Sequence, residues 1–194
     1  IAGMLDHARL RREVASSDAH AVARFKVGQA IDKEADAPVM FQAVSQRIAE
    51  ALGDGCIVRL LDPAGEVLRI AAVAHADPAR REKLRQTPPA PTVPADAWLY
   101  QQALRNHAPI VLPHVDPRQY DRILPRPSVA FARLAGFRSL ALAPLRRQSR
   151  PLGLLVLWRD RSPQPYTRED LVQLQELAGW ISLAVDSGTS PAPA

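Results

Sequence analysis

The chain has 194 residues, 47% of them hydrophobic, which is enough for one domain with a real core and some additional segment. Aromatic residues are only 5%, so that core is built mainly from Leu, Val, Ile and Ala. The net charge of +5 comes from arginines spread along the chain and not massed on one segment, which argues against a nucleic-acid-binding face.

Residues 4–35 carry no proline, and Leu5, Leu10, Val14, Ala21, Phe25 and Ile31 give an incomplete apolar stripe at helical spacing. The pattern predicts one long helix, or two broken near Ser16-Ser17-Asp18. The stripe is too thin to make its own core, so this helix must lie against the domain or against another copy of itself. The opening Ile1-Ala2-Gly3-Met4-Leu5 is interrupted by Asp6 and is not a signal peptide; the expectation is a piece of a longer polypeptide.

Asp36-Ala37-Pro38 reads as a helix start, with Asp36 as cap. Phe41, Val44, Ile48 and Leu52 follow on one face, and Gly53-Asp54-Gly55 ends the helix. Cys56 to Leu61 and Val67 to His75 read as a hairpin across the turn residues Asp62 to Glu66. Cys56 is the single cysteine, so no disulfide can form within the chain, and in a buried strand it reads as a small core residue.

From His75 to Pro94 apolar periodicity is lost. Arg80 to Arg85 is worth a helical turn or two, and Thr87 to Pro94 is proline-rich and extended. Asp96 is expected to cap a helix running to about Asn106. Pro109 to Val115 is a short strand pinned by prolines, hence an edge strand. Short helical pieces follow Asp116-Pro117 and again from Ser128 to Leu134, ended by Gly136.

Phe137 to Leu145 and Leu152 to Trp158 are short apolar runs on either side of a basic turn, Arg146 to Pro151. They predict adjacent buried strands. In the first, Ser139, Ala141 and Ala143 share one face, and Arg138, Leu140 and Leu142 the other. A face of such small side chains leaves room for a helix or a ligand. Thr167 caps a last helix, with Asp170 three residues on in the manner of a capping box. This helix carries two apolar stripes, one from Leu171 to Val185 and one through Leu177, Trp180 and Ala184, so it needs two partners. Ser187 to Ala194 is linker-like.

No motif for chemistry stands out. The carboxylates Asp160, Glu169 and Asp170 sit at a turn and a helix start, where capping accounts for them. The histidines His7, His20, His75, His107 and His114 lack metal-ligand spacing, no Gly-x-Ser-x-Gly surrounds Ser139, and no glycine-rich phosphate loop occurs. No apolar run approaches the ~20 residues of a membrane span.

The hairpin Arg138-Ser139 through Pro144-Leu145 to Leu152-Gly153-Leu154-Leu155-Val156-Leu157, with Tyr166-Thr167-Arg168-Glu169-Asp170-Leu171 after it, resembles the closing part of a GAF domain. Phe41 to Leu52 and Cys56 to His75 resemble that family's opening helix and first hairpin, so the likeness covers about 37–186. It implies an α+β fold with a central antiparallel sheet of about six strands, flanked by helices on both faces. The domain division is then an N-terminal helical segment 1–36, the GAF-like domain 37–186 and a flexible tail 187–194.

The resemblance also implies a non-catalytic sensory module of a bacterial, cytoplasmic signalling protein. Such a module binds a small ligand and relays its state through terminal helices to an output domain in the same polypeptide: a kinase, cyclase, phosphatase or transcription factor. A homodimer through the terminal helices is expected. A ligand-free dimerising spacer is the alternative, and a haem or redox sensor the weaker one. The lone Cys56 argues against the methionine-sulfoxide-reducing branch, and its place in a strand against covalent bilin. No cofactor is identified.

By the same resemblance, a ligand would lie between the sheet and the long connection from His75 to Leu134. The candidate pocket residues are His75, Trp98, Tyr100, His114, Tyr120, Phe131 and Arg138. The competing reading is that the aromatics complete a core and Arg138 pairs with a carboxylate such as Asp116.

Overall fold

The computed structural model describes residues 21, 22, 24, 26–31 and 36–186. The expected helix over 4–20, the stripe position Phe25 and the tail 187–194 lie outside the described residues.

The two apolar runs on either side of the basic turn do lie side by side. They form β5 (Ser139–Arg147) and β6 (Arg150–Arg159), paired antiparallel from Ser139 opposite Arg159 to Arg147 opposite Arg150. The turn is tighter than the sequence suggests: only Gln148 and Ser149 remain outside the strands, and Gln148 takes the left-handed conformation, φ 52°. Exposed arginines and a proline at strand ends read as loop, although an end of a ladder tolerates them.

β1 (Gly55–Leu61) pairs with β2 (Val67–His75) on one side and with β6 on the other. The edges are short: β3 (Thr92–Pro94) beside β2, and β4 (Ile110–Leu112) beside β5. The sheet is six-stranded and antiparallel, in the order β3-β2-β1-β6-β5-β4. β4 is the edge strand its prolines suggest. β3 was not legible within the proline-rich stretch, because its pairing with Val67–Arg69 is decided across the sheet.

Alternation along the strands separates two cores. One face carries Cys56, Val58, Ala141, Ala143, Leu155 and Leu157, and packs on the terminal helices α2 (Ala37–Leu52) and α7 (Arg168–Asp186). The small-residue face of β5 thus receives a helix. α2 buries Phe41, Val44, Ile48 and Leu52, as its stripe requires. Full burial of each such side chain contributes about 1.5–3 kcal/mol. Asp36 occupies the cap position of α2 but its side chain makes no cap bond.

The described residues from 21 to 31 are helical (α1) and lie along α7: Val27 is fully buried, Arg24 pairs with Glu176 at 3.0 Å, and Gly28 faces the Trp180 ring. Ala21 of the expected stripe is exposed, and Val27 does the packing instead. Thr167 and Asp170 form the reciprocal cap of α7, at 3.2 and 2.7 Å. Arg159 ties β6 to both terminal helices, donating to the Leu52 carbonyl and the Asp170 carboxylate while lying 4.3 Å over the Tyr166 ring.

The long connection covers the other face with α3 (Pro78–Gln86), α4 (Trp98–Arg105), a 3-10 turn (Pro117–Gln119) leading into α5 (Tyr120–Ile123), and α6 (Arg126–Ala135). Asp77 caps α3, accepting from Ala79 and Arg80. The cap position of α4 is Ala97, so Asp96 does not cap it. Gly136 ends α6 in the left-handed conformation, φ 73°.

Candidate functional site

β1 lies inside the sheet and is covered on both faces, so its side chains from Cys56 to Leu60 are buried, including its arginine. Arg59 points to the same face as Ile57, into the core beneath the long connection, and is 1% exposed. Its Nη2 donates to the Ala90 carbonyl at 3.1 Å and its Nη1 to the Leu68 carbonyl at 3.4 Å, while Nε has no partner. The Tyr100 hydroxyl lies beside the guanidinium. Burial pulls the guanidinium below its ordinary proton affinity, and Tyr100 pushes it back. Among the described residues no carboxylate lies within ion-pair distance of Arg59. A buried charge held only by neutral oxygens is costly.

Arg59, Tyr100 and Ser128 are the polar lining of a small cavity between the sheet and the long connection. The Ser128 hydroxyl is buried without a partner. The remaining walls are apolar, with Leu99, Phe131, Leu140 and Val156 among them. The free volume is about 10 Å³, the space of about one water. On the outer side of Pro89, which lines both spaces, an open cleft of about 770 Å³ runs between α2, β2 and α3.

Of the residues chosen from sequence, Tyr100 and Phe131 line the cavity. Tyr120 is fully buried, donates to the Phe137 carbonyl at 2.6 Å and packs edge-on against the Phe137 ring; burial pushes its phenol up to about 12. Trp98 is 62% exposed, and His114 and Arg138 are also at the surface. Asp116 pairs with Arg118, at 3.0 Å, and not with Arg138.

His75 is buried at the end of β2, in a different cluster. Its Nε2 meets Asp160 at 3.2 Å and its Nδ1 accepts from the Asp77 amide at 3.0 Å. Arg80 reaches the other Asp160 oxygen at 2.9 Å. Asp160 is therefore a buried ion-pair partner and not the capping residue expected of it. Both nitrogens of His75 are engaged, which suits a structural role. Sequence reasoning passed over Arg59 and Ser128. The available signal was a lone arginine inside an apolar strand, the same signal that singled out Arg138.

A second feature links this layer to the far side of the sheet. At the bulge of β5, the Arg146 amide donates to Ser182 Oγ on α7 at 2.9 Å, and its guanidinium donates to the Leu104 carbonyl on α4. Gln175 of α7 donates to the His107 carbonyl just beyond α4 at 3.0 Å. The cavity layer and the terminal helix are thus joined around the sheet edge.

The GAF domain family model matches residues 36–185. The chain belongs to the GAF family. Among solved structures it resembles the GAF domain of a phosphoenolpyruvate-protein phosphotransferase from Coxiella burnetii, at 16% identity and TM-score 0.67, covering 89% of this chain and 95% of that one. It also resembles the second GAF domain of DevS from Mycobacterium smegmatis, at 26% identity and TM-score 0.53, covering 78% and 95%. A phycocyanobilin-bound GAF domain from a cyanobacterial phytochrome shares the fold at 16% identity and TM-score 0.60, covering 88% and 98%. No curated protein sequence matches the chain. As a GAF domain it has the α+β sheet and the two helical layers that its sequence implied, and no helix among the described residues is long and apolar enough to cross a membrane.

Proposed function

We propose that this GAF domain is a non-catalytic sensory module that binds a small molecule between the sheet and the long connection and passes its state to α7. The observation that carries this reading is Arg146. One residue holds α4, which walls the cavity, and α7, which leads out of the domain. A ligand that displaces α4 therefore acts on α7 through a short chain of hydrogen bonds.

The module serves within a bacterial, cytoplasmic signalling polypeptide, and its output partner is a kinase, cyclase, phosphatase or transcription factor. It pairs with a second copy through α1 and α7, whose outer surface exposes Val22, Val172 and Leu183. Haem ligation is less well supported: His107 and His114 are exposed, and His75 would have to give up both its bonds.

The dimerising spacer is the second reading, and the small volume of the cavity favours it. Native mass spectrometry of the protein purified without denaturation separates the two. A bound small molecule released on unfolding is the expected result. Protein at its bare mass, with a Tm unmoved by the small-molecule fraction of cells, removes the sensing reading and leaves the spacer.

A further inference from the structure

We propose that Arg59, Tyr100 and Ser128 form the head-group end of a binding site for a small monoanionic carboxylate with an apolar body. This rests on the sensing reading of the cavity and assigns the class of ligand.

The charge argument comes first. Arg59 is buried in the domain with only the Leu68 and Ala90 carbonyls and the Tyr100 hydroxyl around its guanidinium. A structural buried arginine is ordinarily matched by a carboxylate of its own chain. Here the chain supplies none, and Nε–H and the Ser128 hydroxyl are left over as buried groups without partners. An anion entering the cavity finds one full positive charge and these unused hydrogen-bonding groups together. The planar guanidinium presents the fork that a carboxylate fits.

The charge is single, and the lining offers no second cation. One guanidinium neutralises a monoanion and leaves a phosphate dianion half-compensated. The rest of the lining is hydrocarbon and aromatic, which selects an apolar body and excludes a polyhydroxylated one.

The approach has the matching sign. Pro89 separates the cavity from the outer cleft, and the charged residues lining that cleft are Arg81 and Arg85, with no acidic lining residue among those described. Arg81 also donates to the His75 carbonyl, and Arg85 lies 3.6 Å from Glu82 outside the lining. The segment carrying Pro89 is tied down at its next residue by the bond from Arg59 to Ala90. A carboxylate competes with the Ala90 carbonyl for the same guanidinium. Its binding releases the proline segment as it enlarges the cavity.

The test is an NMR titration of the intact protein, following the side-chain Nε–H of Arg59. The probes are isovalerate and benzoate, each compared with its amide at constant pH and ionic strength, and inorganic phosphate. The expected result is a saturable shift of the Arg59 signal with at least one acid, which binds about tenfold or more tightly than its amide. Arg59→Met fills the site without charge and is expected to lose that preference while still taking up the amide. Should Arg59→Met not fold, Arg59→Lys keeps a charge and loses the fork, and is expected to weaken the acid about tenfold.

Equal affinity for acid and amide overturns the proposal, and so does an Arg59 signal unmoved by every acid, or a phosphate preferred over both acids. An uncharged molecule that saturates the cavity signals with Arg59 silent overturns the carboxylate assignment and leaves the sensing reading intact. Failure of the sensing reading itself is reported separately by the native mass.

Discussion

Gly153 and Arg59 approach each other across β6 and β1 so closely that a Cβ on Gly153 would sit 2.1 Å from the Arg59 carbonyl oxygen. The obstacle is backbone on the far side, with the Leu60 Cα at 3.0 Å as well, so no side-chain rotation relieves it. This position needs glycine for space. The strand that holds the buried guanidinium is set by the strand beside it.

Gly153→Ala is therefore expected to cost about 1–3 kcal/mol by overpacking between two central strands. Chemical denaturation measures it. A variant as stable as the parent would mean that β1 and β6 separate more easily than their pairing suggests.

Asp160→Ala leaves His75 and Arg80 without their shared carboxylate in a cluster where the His75 and Asp160 side chains are each 1% exposed. Removing one partner of a buried pair is expected to cost about 3 kcal/mol or more. His75→Ala in the Asp160→Ala background is expected to cost less than it does alone, and a double-mutant cycle reads that coupling.

The acid limb of stability is expected to depend on Asp54. Burial alone would push its carboxyl up, but the amides of Ser162, Arg161 and Asp160 donate to it at 3.0, 2.7 and 2.9 Å and hold it below the usual carboxylate range. A carboxyl held low in the fold favours the folded state above its unfolded pKa, and that contribution is lost as pH falls through the lower folded value. Urea midpoints are expected to fall as pH drops from about 5 toward 2. Asp54→Asn is expected to flatten that fall and to lower stability at pH 7 by about 1 kcal/mol.

Cys56 is fully buried, and burial pushes its thiol up to about 12. In native protein near pH 8 it is expected not to react with a thiol reagent on the time of the assay, and to react fully once unfolded. Rapid labelling of the native state would reveal an opening of the face beneath α2.

The parts of the fold that sequence makes legible are those set by local chemistry. The stripe of α2, the cap formed by Thr167 and Asp170, and the alternation of β5 and β6 are each decided within a few residues. What sequence hides is set by distant neighbours. β3 is a strand only because Val67–Arg69 lies beside it. Arg59 and Arg138 look alike in sequence, one charge each in an apolar run. β1 is enclosed by β2 and β6, while Arg138 stands before the start of β5, so the first is buried and the second exposed. The aromatic and imidazole side chains of the long connection do not act as a group: Tyr100, Tyr120 and Phe131 are buried on one side of the sheet, and Trp98 and His114 turn outward.

The central claim is that the cavity layer and α7 respond together. Hydrogen exchange along α7, with and without saturating isovalerate, tests it most directly. The account predicts altered exchange in α4, at Ala90 and its neighbours, and in α7 around Ser182, with the α7 response lost in Arg146→Ala. Cavity amides that respond while the whole of α7 stays unchanged would contradict it.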